Sequence, residues 1–180
     1  YSFRDGGFVV SNNKSLIDRI RKIRNNGIDA NNRDECDEFG FNSRMDELQA
    51  KILIERLKDI KKMVSLRNLN AKIYNTNLDK RYFYLDEDKS KFSSSHQFFL
   101  ILCKRRDELH EYLNKNGVQA IKYFHIPMYK QKAFKNISHK KIKLKNSEYL
   151  ENKSLHLPIR ENLKKREIIH ICNLMNNFYN

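Results

Sequence analysis

The run Phe39-Gly40-Phe41-Asn42-Ser43-Arg44-Met45-Asp46-Glu47-Leu48-Gln49-Ala50 carries the most concentrated chemical signal in the chain. A glycine-containing loop leads into Asn42 and Ser43, and an apolar helical period follows. Ser43 with Asp46 three residues on reads as a capping box, which predicts a helix beginning at Ser43. The open N–H groups of that helix start, with Arg44 in its first turn, would make a phosphate site. The same residues also suit an ordinary cap beside a solvated arginine, and cap chemistry alone does not separate the two. Metal and serine chemistry have no support: H-x-x-x-H, carboxylate pairs at metal spacing and G-x-S-x-G are all absent. Cys36, Cys103 and Cys172 stand alone without C-x-x-C spacing, so neither a zinc site nor a disulfide framework is expected.

The elements around this run follow from period and punctuation. Asp5-Gly6 supplies a turn into a short buried strand at Phe8, Val9 and Val10. Asn13 caps a helix with Leu16, Ile17, Ile20 and Ile23 on one face, stopped by Gly27. Residues 28–38 read as a polar surface loop. Residues 43–77 contain no Gly or Pro, and Met45, Leu48, Ile52, Leu53, Leu57, Ile60 and Val64 keep a 3.6-residue spacing. A continuous helix there would run about 50 Å; a bend near Ser65 is the alternative. Strands are expected at 82–85, 96–103, 118–123 and 155–159, with helices at 104–116, 147–153 and 163–179. The strand-helix-strand unit 96–123 would be the heart of a small α+β domain.

Read whole, G-F-N-S-R-M-D-E-L-Q-A resembles the DegT/DnrJ/EryC1/StrS family of pyridoxal-phosphate-dependent sugar aminotransferases. So do Asp5-Gly6-Gly7 followed by Val9-Val10-Ser11-Asn12, the Arg24-Asn25-Asn26-Gly27 run, Arg106-Asp107-Glu108-Leu109, Gly117-Val118-Gln119 and Leu155-His156-Leu157-Pro158. The resemblance covers essentially the whole chain, in family order, and corresponds to the later half of a family member. It implies an α/β chain of fold type I, C-terminal portion: residues 1–62 end the large cofactor domain and start a linking helix, and 63–180 form the small α+β domain. It also implies pyridoxal 5'-phosphate as cofactor and a homodimer sharing its active site. Asn42 and Arg44, with Ser43 between them, would hold the phosphate of the partner subunit's cofactor. The reaction implied is amino transfer, usually from glutamate, to a nucleotide-linked keto-sugar for polysaccharide, lipopolysaccharide or glycan synthesis.

The resemblance places the sugar end of the pocket at residues 122–134, giving Tyr123 and Tyr129 as substrate candidates. Tyr129 stands where His is commoner, and a phenol donates to a hydroxyl or phosphate but does not titrate near neutrality. His125 joins by proximity, and His96 by its place at the start of a strand. His156 stands where Ser is usual, and the resemblance assigns it no role. The family's Schiff-base Lys follows a Ser-Phe pair, yet Ser2-Phe3 here runs straight into Arg4. No catalytic residue is therefore assigned, and a truncated or inactive homologue is the alternative to an enzyme.

The 180 residues carry 36 Lys and Arg against 22 Asp and Glu, a formal charge of +14. That could attract nucleic acid. However, the basic residues are scattered, the densest patch being Lys140, Lys141, Lys143 and Lys145, and no nucleic-acid motif accompanies them. The reading is no nucleic-acid partner, no membrane span and a cytoplasmic location.

Overall fold

The computed structural model describes residues 6–28, 32, 34–85, 94–123, 126–134 and 144–180. The chain divides into two compact units, residues 1–60 and 61–180.

In the first unit, α1 (Lys14–Ile23) starts where the Asn13 side chain accepts from the Leu16 amide at 3.1 Å. It stops at Arg24, and the chain then turns through Asn26 (φ 61°) and Gly27 (φ 76°). Gly27 ends the turn rather than the helix itself. α2 (Glu47–Lys58) begins later than the sequence suggests. Its N-cap is Asp46, whose carboxylate accepts from the Leu48 amide at 2.9 Å, so Ser43 is not the cap. Residues 6–10 form no strand; Phe8 and Val10 are 86% and 80% exposed. A strand needs a pairing edge, and none of the described residues offers one. Among the described residues of this unit only Gly27 is buried, so the apolar side chains of α2 find little cover within it.

The long helix is interrupted. α2 ends at Lys58, where the Asp59 amide turns back to the Arg56 and Leu57 carbonyls, and α3 (Ile60–Asn77) follows. Asp59 sits at a helix C-terminus, where its negative charge and competing side chain disfavour continuation. The break falls six residues before Ser65.

The second unit has a real core. β1 (Phe83–Leu85), β2 (Phe99–Cys103) and β3 (Ser154–Leu157) form an antiparallel sheet in the order β1-β2-β3. One face is buried: Phe83, Phe99, Ile101, Cys103, Leu155 and Leu157 point inward, as strand alternation requires. Against them pack α4 (Arg106–Lys115) through Leu109 and Leu113, and α6 (Lys165–Tyr179) through Ile168, Ile171, Cys172 and Met175. Each large aliphatic buried this way contributes about 1.5–3 kcal/mol. α3 adds Ala71 and Tyr74; the Tyr74 ring stacks on Phe99 at 4.7 Å, and its hydroxyl donates to the Pro158 carbonyl at 2.8 Å. Asn176 closes the end of α3, donating to the Asn77 carbonyl and accepting from the Asp79 amide.

Two short 3₁₀ turns (Met128–Lys130 and Lys132–Phe134) and α5 (Lys145–Lys153) complete the described elements. The expected strand at 118–123 is reduced to one bridge, Ile121 with His156. The strand expected at 96–103 starts only at Phe99, because His96 turns into the left-handed region (φ 43°). Burial holds the Cys103 thiol up at about 11 and the Cys172 thiol at about 12, so both stay protonated packing groups near neutrality.

Candidate functional site

The loop ahead of α2 owes its shape to two glycines. A Cβ on Gly40 would lie 2.1 Å from the Gly27 nitrogen and 2.4 Å from the Asn26 carbonyl carbon. One on Gly27 would meet the Glu38 carbonyl oxygen at 1.7 Å. Backbone meets backbone here, and only glycine permits it. The approach is sealed by three hydrogen bonds: Phe41 N to Ile23 O at 2.7 Å, Asn26 N to Phe41 O at 3.0 Å and Ser43 N to Arg24 O at 2.9 Å. Asn25 and Asn42 form a bridge at the same point. The Arg24-Asn25-Asn26-Gly27 turn and the Gly40-Phe41-Asn42-Ser43-Arg44 loop thus form one interlocked corner. Ion pairs from α1 to the end of the intervening loop, Lys22 with Asp37 and Arg19 with Glu38 at 3.0 Å, brace it.

This corner holds Asn42, Ser43 and Arg44 exposed to solvent. The Arg44 Nε donates to the Asn42 Oδ1 at 3.4 Å, which aligns the two side chains. The terminal guanidinium nitrogens make no hydrogen bond among the described residues. A group with only acceptor oxygens, such as a phosphate, suits this set of donors. The start of α2 does not contribute in the way the sequence suggests. Its Leu48 amide turns to the Asp46 carboxylate, Glu47 adds a second negative charge, and the Ser43 amide is spent on Arg24. Anion binding here would rest on side chains, not on the helix terminus.

The second unit carries the other candidates. Tyr123 belongs to a ring cluster: Phe98 lies 5.0 Å from it and His156 5.9 Å, with Phe98 and His156 5.4 Å apart. Tyr129, on the first 3₁₀ turn, donates its hydroxyl to Glu148 of α5 at 3.1 Å, while Lys130 pairs with Glu151. Burial and that carboxylate raise the Tyr129 pKa, so the phenol is held as a donor already committed to α5. His96 lies 6.3 Å from Phe99 ring to ring, and its amide donates to the Ser94 hydroxyl. The structure therefore brings Tyr123 together with His156, while Tyr129 reaches Glu148 of α5 and His96 lies beside Phe99. His125 lies outside the described residues, as do Ser2, Phe3, Arg4 and three of the four lysines of the basic patch.

His156 is the residue that sequence reasoning set aside. Its imidazole is half-buried, and burial holds its pKa below 6.5, opposed in part by the Ile121 backbone. The one available signal was its position on an apolar strand between residues that alternate inward. His110, expected in solvent, is half-buried as well, with its pKa lowered first by burial and then by Lys122 and Arg106. Among the described residues no cluster of three His, Cys, Asp or Glu side chains could hold a metal ion, and no helix is long and apolar enough to cross a membrane.

Comparison with known proteins finds relatives over nearly the full length of the chain. The chain is 30% identical to the erythromycin biosynthesis sensory transduction protein EryC1 of Saccharopolyspora erythraea, over 93% of this chain and 45% of that one. It is 26% identical to the GDP-perosamine synthase of Vibrio cholerae, over 98% of this chain and 49% of that one. A DegT DnrJ EryC1 StrS aminotransferase crystal structure from Brucella abortus superposes with a TM-score of 0.86 at 27% identity, over 93% of this chain and 44% of that one. The chain spans about half the length of the curated relatives it matches. Its architecture is the C-terminal portion of the α/β fold of fold-type-I aminotransferases. Aminotransferases of this kind depend on pyridoxal phosphate. With the family model matching residues 2–176, the chain belongs to the DegT/DnrJ/EryC1/StrS aminotransferase family.

Proposed function

We propose that this chain is part of a pyridoxal-phosphate-dependent aminotransferase that moves an amino group, from glutamate, onto a nucleotide-linked keto-sugar destined for polysaccharide, lipopolysaccharide or another glycan. Residues 1–62 end the large cofactor domain and begin the linking helix, and residues 63–180 are the small domain. The protein works in the cytoplasm as a homodimer, with Asn42 and Arg44 of one subunit serving the cofactor phosphate of the other. The observation that carries this reading is the interlocked corner. It fixes a guanidinium and an amide side by side, facing solvent, with donors unspent.

When bound, pyridoxal phosphate supplies the amino-group carrier and electron sink. This chain's residues would do the holding. Arg44 and Asn42 bind phosphate oxygens, and the backbone lock behind them keeps the pair preorganised. Tyr123 offers a hydroxyl to the sugar or its phosphate, with His96 and His125 as further substrate contacts, and with Tyr129 joining them where its hydroxyl exchanges Glu148 for the substrate.

A second reading, a folded but catalytically silent homologue, is favoured by Ser2-Phe3 running directly into Arg4. The test uses the full-length protein with pyridoxal phosphate, glutamate and a panel of nucleotide-linked keto-sugars. Amino-sugar product supports the enzyme; cofactor binding without turnover on any acceptor supports the silent homologue. No cofactor binding at all defeats the phosphate role of the corner.

A further inference from the structure

Strand register places three rings on one face of the sheet in the second unit. Leu100 of β2 stands opposite His156 of β3. On the other side Ile121 bridges it, with Ile121 N donating to His156 O at 3.0 Å and His156 N to Ile121 O at 2.9 Å. Phe98 and Tyr123 each lie two residues from these partners. Pleat alternation therefore carries both diagonally onto the face that bears the imidazole. The His156 ring meets Phe98 at 75° and Tyr123 at 69°, edge to face in both cases. Phe98 and Tyr123 remain 42% and 40% exposed, whereas His156 Nδ1 is buried with no hydrogen-bond partner among the described residues. An orphaned buried nitrogen is a cost that a better-packed apolar side chain would avoid.

We infer that His156 is a positioning residue for Tyr123: its neutral imidazole, wedged edge-on against Phe98 and Tyr123, sets the direction of the tyrosine ring and so the place of its hydroxyl. The substrate side of this inference rests on the aminotransferase reading; the coupling of the two rings does not. Among the described residues, the strand partners and ring contacts of His156 are apolar or aromatic: Leu100 and Phe98 from β2 and its approach, Ile121 and Tyr123 from the bridging segment. The Tyr123 phenol is the titratable group among them. Lys122, next in sequence, pairs with Asp107 at 2.9 Å. No carboxylate forms an ion pair with His156 among the described residues. Protonation thus places a charge where neither water nor a counter-charge meets Nδ1, and the wedge loosens.

The test follows ring carbon and proton resonances of Tyr123 in the full-length protein through a pH titration. In the wild type they move with the His156 midpoint, below 6.5; in His156→Phe, which keeps a ring and removes the titration, that movement is gone. In His156→Ala they shift already at neutral pH. A Tyr123 signal that ignores the His156 titration overturns the inference, and the wild-type titration decides even if the alanine variant fails to fold. On the cofactor-loaded enzyme, His156→Ala raises KM for the nucleotide-sugar about 2- to 10-fold with kcat kept, and His156→Phe restores it. Coupled rings with an unchanged KM overturn the substrate side alone. Absence of amino transfer in the wild type defeats the proposed function, and the resonances still judge His156.

Discussion

Substituting Gly40 by Ala tests the corner that presents Asn42 and Arg44. The new methyl would sit 2.1 Å from the Gly27 nitrogen and 2.6 Å from the Ile23 carbonyl oxygen. Ordinary contact begins near 3.4 Å, so the two chain segments must part by more than about 1 Å. The atoms in the way are backbone, which has no rotamer to escape into. Parting them breaks the bonds from Phe41 N to Ile23 O, Asn26 N to Phe41 O and Ser43 N to Arg24 O. At about 1 kcal/mol net for each bond, the corner loses about 3 kcal/mol. Amide hydrogen exchange at Asn26, Phe41 and Ser43 should then accelerate roughly 100-fold, with cofactor affinity falling alongside. Gly7→Ala is the control, because a Cβ there meets nothing within 4 Å. Exchange at these three amides that is unchanged in Gly40→Ala would refute the interlock.

Three further outcomes are expected. Arg44→Ala should weaken pyridoxal-phosphate binding by about 1.5–3 kcal/mol, the worth of charge-assisted bonds to a phosphate, without moving the thermal midpoint, since the side chain is exposed; equal affinity in titration calorimetry contradicts its role. Tyr74→Phe removes the donor to the Pro158 carbonyl and should cost about 1–3 kcal/mol in urea unfolding, with the stack on Phe99 kept. Stability should fall as pH drops below 6.5: folded His156 and His110 refuse protons that the unfolded chain accepts, so the unfolded state binds more protons in that window. Comparing unfolding midpoints near pH 7.5 and near pH 5.5 tests this above the range where Asp79, Asp107 and Glu161 titrate; a double His156→Phe and His110→Gln variant should flatten the difference.

Much of the second unit was readable because period and burial agree. Leu109 and Leu113, and Ile168, Ile171, Cys172 and Met175, fall at helical spacing and end up buried as that spacing implies. The start of α2 shows the limit of local chemistry. Ser43 and Asp46 are both competent caps three residues apart, and nothing nearby ranks them. The choice was made at a distance, where the close pass of Gly40 over Gly27 spends the Ser43 amide on Arg24. The Phe8-Val9-Val10 segment has strand chemistry, but pairing depends on a neighbour that a linear pattern cannot supply.

What the amino-acid order determined by itself was the family, through a long motif, and the helical and apolar periods of the core, because these are set by side-chain type and spacing. Tertiary structure alone decided that two distant glycines lock Asn42 and Arg44 into one corner, and that His156 lies between Phe98 and Tyr123. Both depend on segments far apart in sequence coming within van der Waals reach, and on a strand register that fixes which side chains share a face.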